Sequence, residues 1–151
     1  MSRFVLLPLT LTLLAACSDV VTTTYASKAA ATEEGLVARG WLPSVIPDSS
    51  TKIRTSNDLD LNISEGSFEF RAEDWSHFSA QLQVELPAKT PFADWQSIVR
   101  GYRSRGYSSG VYKQDHTIWV FFCKPQAGSC KYTMWLVREA RSASAANRND
   151  A

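Results

Sequence analysis

Acidic and amide side chains alternate with leucines over a short stretch that contains Asp58, Asp60 and Asn62. Oxygen ligands at this spacing begin a calcium-binding loop, and Glu69 stands at the twelfth position of such a loop. Its sixth position holds Ile63, where the calcium loop requires glycine for a sharp turn. We therefore expect no metal here, but a solvated turn in which Asx side chains bond their own backbone.

Histidines are the second source of chemistry, and the chain has two of them, His77 and His116. A catalytic histidine must lie near a serine, cysteine or carboxylate in a cleft, and nothing in the sequence brings these two together. The sequence also contains no phosphate-binding loop, no dinucleotide-binding fingerprint and no Gly-x-Ser-x-Gly or His-Glu-x-x-His motif. We identify no catalytic motif, and we expect no cofactor and no bound nucleotide.

The N-terminus has the order of a secretory signal peptide, with a positive charge, an apolar run and then small residues. Arg3 supplies the charge and residues 4–14 the apolar run, which is too short to cross a bilayer comfortably, since that takes about 20 residues. The tetrad Leu14-Ala15-Ala16-Cys17 follows at once and resembles the lipobox of bacterial lipoproteins. The resemblance implies cleavage of residues 1–16 and lipid on the thiol and amine of Cys17.

The residues after Cys17 bear on where such a protein would reside. Ser18 stands where the enterobacterial sorting rule places aspartate for retention in the inner membrane. By that resemblance we expect the periplasmic face of the outer membrane, with the inner membrane as the alternative. Residues 17–19 form only a very short tether, because the β-branched and aromatic run Val20–Tyr25 predicts a strand immediately afterwards.

The charge of the exported chain argues against nucleic acid as a partner. Without residues 1–16 the chain has 135 residues, which suits one domain with a real core. Loss of Arg3 leaves 15 Lys plus Arg against 15 Asp plus Glu, so the exported chain is near neutral. A nucleic-acid-binding protein should instead carry a strong basic excess.

Two cysteines, Cys123 and Cys130, remain once Cys17 carries lipid. The oxidising envelope favours a disulfide between them. A zinc site is a weaker alternative because it would need the two distant histidines, and a redox pair would more typically be Cys-x-x-Cys. The chain around these cysteines is predicted to form a β-hairpin, and a disulfide across its turn would make Cys123 and Cys130 partners. Paired residues then have numbers that sum to 253, so Phe121 lies opposite Tyr132 on the same side of the hairpin as the disulfide. That side is the more apolar one near the turn and is expected to face the core.

Secondary-structure signals run through residues 20–140, which we assign to one domain. The tail at 141–151 consists of small and polar residues and is expected to be disordered. Strands are predicted at Thr51–Ser56, around Phe68 and at 107–113, and a short helix opens at Glu73; segment 81–86 fits helix or strand. Two longer helices are also predicted. One is capped by Ser27 and runs to Arg39, and the other begins at Thr90-Pro91 and ends before Gly106.

The first half of the exported chain resembles a known group of proteins. The resemblance is carried by Gly40-Trp41-Leu42-Pro43, together with Tyr25, Pro47, Ile53 and Asp58-Leu59-Asp60. These residues resemble small bacterial lipoproteins of the YbbD head domain-containing type. The resemblance implies an envelope location and a compact domain, and it implies no activity for any residue.

We expect an α+β domain with a mostly antiparallel sheet, two or three helices and a disulfide-closed C-terminal hairpin. The leading hypothesis is a non-catalytic binding or structural module that is attached to the membrane through Cys17, with another envelope protein as a candidate partner. The alternative is a small envelope hydrolase or ligand-binding protein with a polar site near Asp58, Asp60 and His77. The candidate binding surface consists of four residues: Trp41, Asp58, Asp60 and Asn62.

Overall fold

A six-stranded antiparallel sheet and three α-helices form the described part of this computed structural model, residues 20–137. The helices are α1 (Lys28–Glu33), α2 (Trp75–Ser79) and α3 (Trp95–Ser104). The expected α+β class is confirmed. Predictions about the signal peptide, the lipid on Cys17 and the tail 141–151 fall outside the described residues. The strands are β1 (Val20–Ser27), β2 (Thr51–Asp58), β3 (Ile63–Glu69), β4 (Ser108–Gln114), β5 (Thr117–Lys124) and β6 (Ser129–Leu136).

The strand order in the sheet is β1-β2-β3-β6-β5-β4, so the chain builds the sheet from both edges toward the middle. After β3 the chain crosses to the far edge through α2 and α3, and then returns inward along β4, β5 and β6. The last strand closes the sheet by pairing with β3, from Ile63 opposite Trp135 to Glu69 opposite Ser129. This pairing joins two halves that are distant in sequence.

Strand β5 is buried on both sides of the sheet, and its alternating side chains define a first face and a second face. On the first face Trp119, Phe121 and Cys123 lie under α1, residues 34–50 and α2. On the second face Ile118, Val120 and Phe122 pack with Trp95, Val99 and Trp135 under α3. Two hydrophobic layers therefore enclose the C-terminal half of the sheet.

The C-terminal hairpin has the predicted register. Phe121 lies opposite Tyr132, and a disulfide joins Cys123 to Cys130, so both predictions are confirmed. The disulfide side faces the core, as expected, and the opposite side of the hairpin is covered as well. Trp135 on the other side is only 4% exposed, because α3 covers the second face as well.

Both longer helices are shorter than predicted. The Ser27 cap of α1 is confirmed, since its hydroxyl accepts a hydrogen bond from the amide of Ala30 at 3.2 Å. The helix ends at Glu33 rather than Arg39, because Gly35 turns the chain with a φ of 79°. Helix α3 begins at Trp95 rather than at Pro91, because the Thr90 hydroxyl forms a local turn before the helix by accepting the Phe92 amide at 3.2 Å.

Segment 81–86, whose type remained open, makes only a single β-bridge. The backbone of Gln83 exchanges two hydrogen bonds of 2.8 Å with Val111 and so covers part of the outer edge of β4. None of the helices within residues 20–137 has the length and apolar character needed to cross a membrane.

Candidate binding groove

The second face of the sheet divides into a covered half and an open half. Helix α3 packs over β5 and β6, whereas most side chains of β1–β3 on that face are polar and at least partly exposed. They alternate with buried residues of the first face such as Ile53 and Phe68, so strand periodicity places them toward solvent. The polar side chains are Thr22, Thr24, Arg54, Ser56, Glu65 and Ser67.

A groove of about 430 Å³ runs along the boundary between these two halves. The sheet supplies a polar floor from β2, β3 and β6, and α3 supplies an apolar and aromatic wall. Such a combination can hold an extended polar chain on the floor while apolar side chains contact the wall. The floor includes Arg54, Ser56, Glu65, Ser67 and Lys131, and the wall includes Trp95, Ile98 and Tyr102.

Two positively charged side chains and one negatively charged side chain lie on the groove floor. Arg54, Glu65 and Lys131 are exposed, and none of them makes an ion pair with another residue of the described range. Their charges are therefore available to a partner. Two cations beside one carboxylate favour a partner segment that carries both acidic and basic groups.

Tyr102 contributes a neutral hydroxyl to the wall of the groove. Its ring stacks on Phe122 with centroids 4.1 Å apart, and the Arg105 guanidinium lies 4.9 Å from the ring centre. Burial raises the pKa of Tyr102 above its ordinary value; the charge of Arg105 opposes this rise and that of Glu65 adds to it. The phenol consequently stays protonated at neutral pH and can donate a hydrogen bond.

Beneath the groove, on the first face, a small polar network lies inside the core. The Ser64 hydroxyl donates to Asn57 Oδ1 at 2.6 Å and stands 3.5 Å from the Tyr132 hydroxyl. Burial raises the pKa of Tyr132 to about 12, so it is neutral at physiological pH. The ring of Tyr132 lies directly over Gly66, where a Cβ would come within 2.5 Å of the ring. This network is a structural support for β2, β3 and β6.

The four residues of the candidate binding surface fall into two places. Asp58 Oδ1 accepts the backbone amides of Asp60 at 3.1 Å and Leu61 at 2.9 Å, which is the expected Asx arrangement of the β2–β3 turn. Trp41 and Asn62 both line a cavity of only about 90 Å³, which neither Asp58 nor Asp60 lines. Trp41 is half-buried and packs against the first-face core. Whether these residues bind a ligand stays a prediction.

His77 does not join the carboxylates with which the sequence associated it. It lines a cleft of about 370 Å³ on the first-face side, together with Lys28 and Asp74, and neither Asp58 nor Asp60 lines that cleft. Within residues 20–137, no three His, Cys, Asp or Glu side chains come together as a metal site would require. The structure therefore supplies no site that combines His77 with the β2–β3 turn.

Several polar groups of this cleft form hydrogen bonds with one another. Lys28 Nζ donates to Asp48 Oδ1 at 2.7 Å and to two loop carbonyl oxygens at 2.8 and 2.9 Å. The hydrogen bond and charge of Lys28 lower the pKa of Asp48 below its ordinary value. Ser49 donates to the Asp74 carboxylate and accepts the amide of Arg71 at 3.2 Å. These bonds fasten residues 44–50 to α1 and to the start of α2.

Comparison with known proteins identifies the part of the chain that supplies most of the groove floor. Residues 19–69 match the YbbD head domain family. The resemblance noted at Gly40-Trp41-Leu42-Pro43 is confirmed. The YbbD head segment comprises β1, α1, β2 and β3, whereas the wall of the groove and Lys131 come from outside it. No curated protein and no solved structure matches the chain.

The groove could not be located from the sequence because its residues come from five separate segments. Arg54, Glu65, Tyr102 and Lys131 share no spacing motif. A partial signal was available in the alternation of polar residues along β2 and β3, which indicates that one side of the YbbD head segment faces solvent.

Proposed function

We propose that this protein is a lipid-anchored lipoprotein on the periplasmic face of the outer membrane that binds a segment of another envelope protein. The observation that carries the binding role is the groove between α3 and the open half of the second face. Its lining offers charged groups, hydrogen-bonding groups and aromatic side chains, which are the groups through which protein interfaces bind their partners without catalysis.

A protein segment suits this groove better than a compact small ligand. The groove is open along the sheet, and its exposed charges Arg54, Glu65 and Lys131 spread over three neighbouring strands. An extended chain can reach all three, because strands lie about 4.8 Å apart. The wall at Ile98, which is 36% exposed, adds apolar contact along the same path.

The anchor rests on the residues that precede β1. The lipobox-like tetrad ends at Cys17, and the chain enters β1 at Val20. The substitution Cys17→Ala should release the protein from the membrane fraction and abolish lipid labelling. Ser18→Ala provides a matched control next to the same cleavage point and should leave both unchanged. Membrane association of the Cys17→Ala protein equal to that of the wild type would refute the anchor.

Crosslinking in intact cells tests the groove. A photo-crosslinking residue at Ser67 lies on the groove floor, and the same residue at Glu33 lies exposed on α1, over the first face. We expect one stoichiometric protein adduct from position 67 and none from position 33. The double substitution Arg54→Ala and Lys131→Ala should lower its yield several-fold, because both cations of the floor are removed. Equal adducts from both positions, or no protein adduct from position 67, would contradict the proposal.

A further inference from the structure

We infer that the end of the sheet where β1 begins rests on the lipid bilayer and contacts it directly through the leucines of the β2–β3 turn. This inference rests on the proposed function, since it takes Cys17 to be the lipid-bearing residue. It adds a second membrane contact, made by the folded domain itself, and thereby sets the orientation of the domain.

Strand register places several chain segments at this end, which we call the anchor end. Val20 pairs with Asp58, Asp58 with Ile63, and Ile63 with Trp135, in one row across the sheet. Beyond this row lie the β2–β3 turn, residues 59–62, and the two described residues after Trp135, Leu136 and Val137. The chain therefore leaves toward Cys17 from the same end that presents the β2–β3 turn.

Exposed apolar side chains are concentrated at the anchor end. Among the described residues, six of the eight large apolar side chains that are exposed lie there, and Leu61 is 62% exposed. Turns normally carry polar residues, so two leucines in one four-residue turn need a reason. The exceptions, Val84 and Ile98, lie elsewhere. The six are Val20, Val21, Leu59, Leu61, Leu136 and Val137.

Hydrogen bonds within the β2–β3 turn define its shape. Asp58 Oδ1 accepts the backbone amides of Asp60 and Leu61, and Asn62 adopts a left-handed φ of 53°. This geometry keeps Leu61 outside the core, next to a largely apolar groove of about 490 Å³ whose lining includes Trp135 and Val137. An apolar side chain that projects from the fold in this way is suited to insertion between lipid headgroups.

The length of chain between the anchor and the fold identifies the bilayer as the occupant. Three residue steps separate Cys17 from Val20, and these span at most about 11 Å when fully extended. A lipid on Cys17 therefore holds the anchor end within about that distance of the membrane surface. Anionic headgroups repel the acidic neighbours Asp58 and Asp60, so apolar insertion rather than charge attraction accounts for the contact of this turn with the bilayer.

The test uses the full-length lipidated protein in vesicles of zwitterionic phospholipid. A photo-crosslinking residue replaces Leu61 at the anchor end or Gln126 at the tip of the β5–β6 hairpin, which is exposed at the opposite end of the sheet. We expect lipid adducts from position 61 at least tenfold above those from position 126. Adding anionic lipid should not raise this yield.

A variant pair strengthens the test. Leu59→Ser should lower the lipid adducts from position 61 several-fold, because it removes the neighbouring apolar contact of the same turn. Val84→Ser is the matched control, because Val84 is the most exposed of these apolar side chains at 86% and lies outside the anchor end. It should leave the yield unchanged.

Three outcomes would overturn the inference: equal lipid adducts from positions 61 and 126, adducts from position 61 to a second copy of the chain, or adducts to residues 138–151 of the same chain. The mass of the N-terminal peptide separates this failure from failure of the anchor. Lipid on Cys17 without lipid adducts at position 61 overturns only the bilayer contact. A Cys17 that carries no lipid overturns the proposed anchor as well.

Discussion

Replacement of Gly66 should destabilise the protein, because the ring of Tyr132 occupies the space that a side chain at position 66 would need. A Cβ at Gly66 would lie 2.5 and 2.6 Å from two ring carbons of Tyr132, and closer still to the backbone oxygen of Arg54. Tyr132 is buried and the Arg54 oxygen belongs to the strand ladder, so neither can move by the required ångström without loss elsewhere. Overpacking of this kind costs about 1–3 kcal/mol, and alanine recovers up to about 1 kcal/mol of backbone entropy.

Because the contacts are with backbone and a buried ring, we take the upper overpacking cost of about 3 kcal/mol; less the recovered entropy, Gly66→Ala should lower the free energy of unfolding by about 2 kcal/mol, measured by urea denaturation of the exported Cys17→Ala protein. Gly101→Ala is the matched control, since Gly101 lies within α3 and a Cβ there would meet no neighbouring side chain within 4 Å. It should raise the free energy of unfolding by about 1 kcal/mol. A Gly66→Ala protein as stable as its parent would show that β3 and β6 do not approach as closely as described.

Two further predictions concern β6. Replacing Cys123 and Cys130 together by serine opens an eight-residue loop and should lower the free energy of unfolding by about 2.5 kcal/mol; an unchanged urea midpoint would contradict this. Because Tyr132 has a pKa of about 12 when folded and 10.0 ordinarily, the folded state keeps a proton that the unfolded chain releases. Stability should thus be full below pH 10 and decline as pH rises toward 12, by up to about 3 kcal/mol. Urea titrations from pH 9 to 11 should show a weaker decline in Tyr132→Phe, and an identical decline would refute the assignment.

The hairpin register could be predicted because one covalent constraint fixes it locally. Once Cys123 is paired with Cys130, every other partner of β5 and β6 follows, because paired residue numbers in antiparallel strands keep a constant sum, and two-residue alternation then fixes their faces. The position of β6 between β5 and β3 could not be predicted in this way. That pairing joins residues such as Phe68 and Cys130, which are far apart in sequence and have no turn between them to signal their contact.

The helix boundaries differed from prediction for local reasons that propensity does not capture. Gly35 ends α1 early although favourable residues continue to Arg39, and the hydroxyl of Thr90 caps a turn rather than α3. The start of α3 also determines which residues line the groove. Trp95, the first residue of α3, lines the groove wall together with Phe92 from the turn before the helix.

The YbbD head segment shares one hydrophobic core with the strands that follow it. Phe68 of β3 packs against Phe121 of β5 with ring centroids 6.2 Å apart, and Ser64 of β3 lies beside the hydroxyl of Tyr132 in β6. The first-face core is therefore continuous from the matched strands into the unmatched ones. Cutting the chain after residue 69 would expose Phe68 and leave the outer edge of β3 unpaired. Because both halves share one core, changes at Gly66 and at the distant disulfide should act on a single unfolding transition.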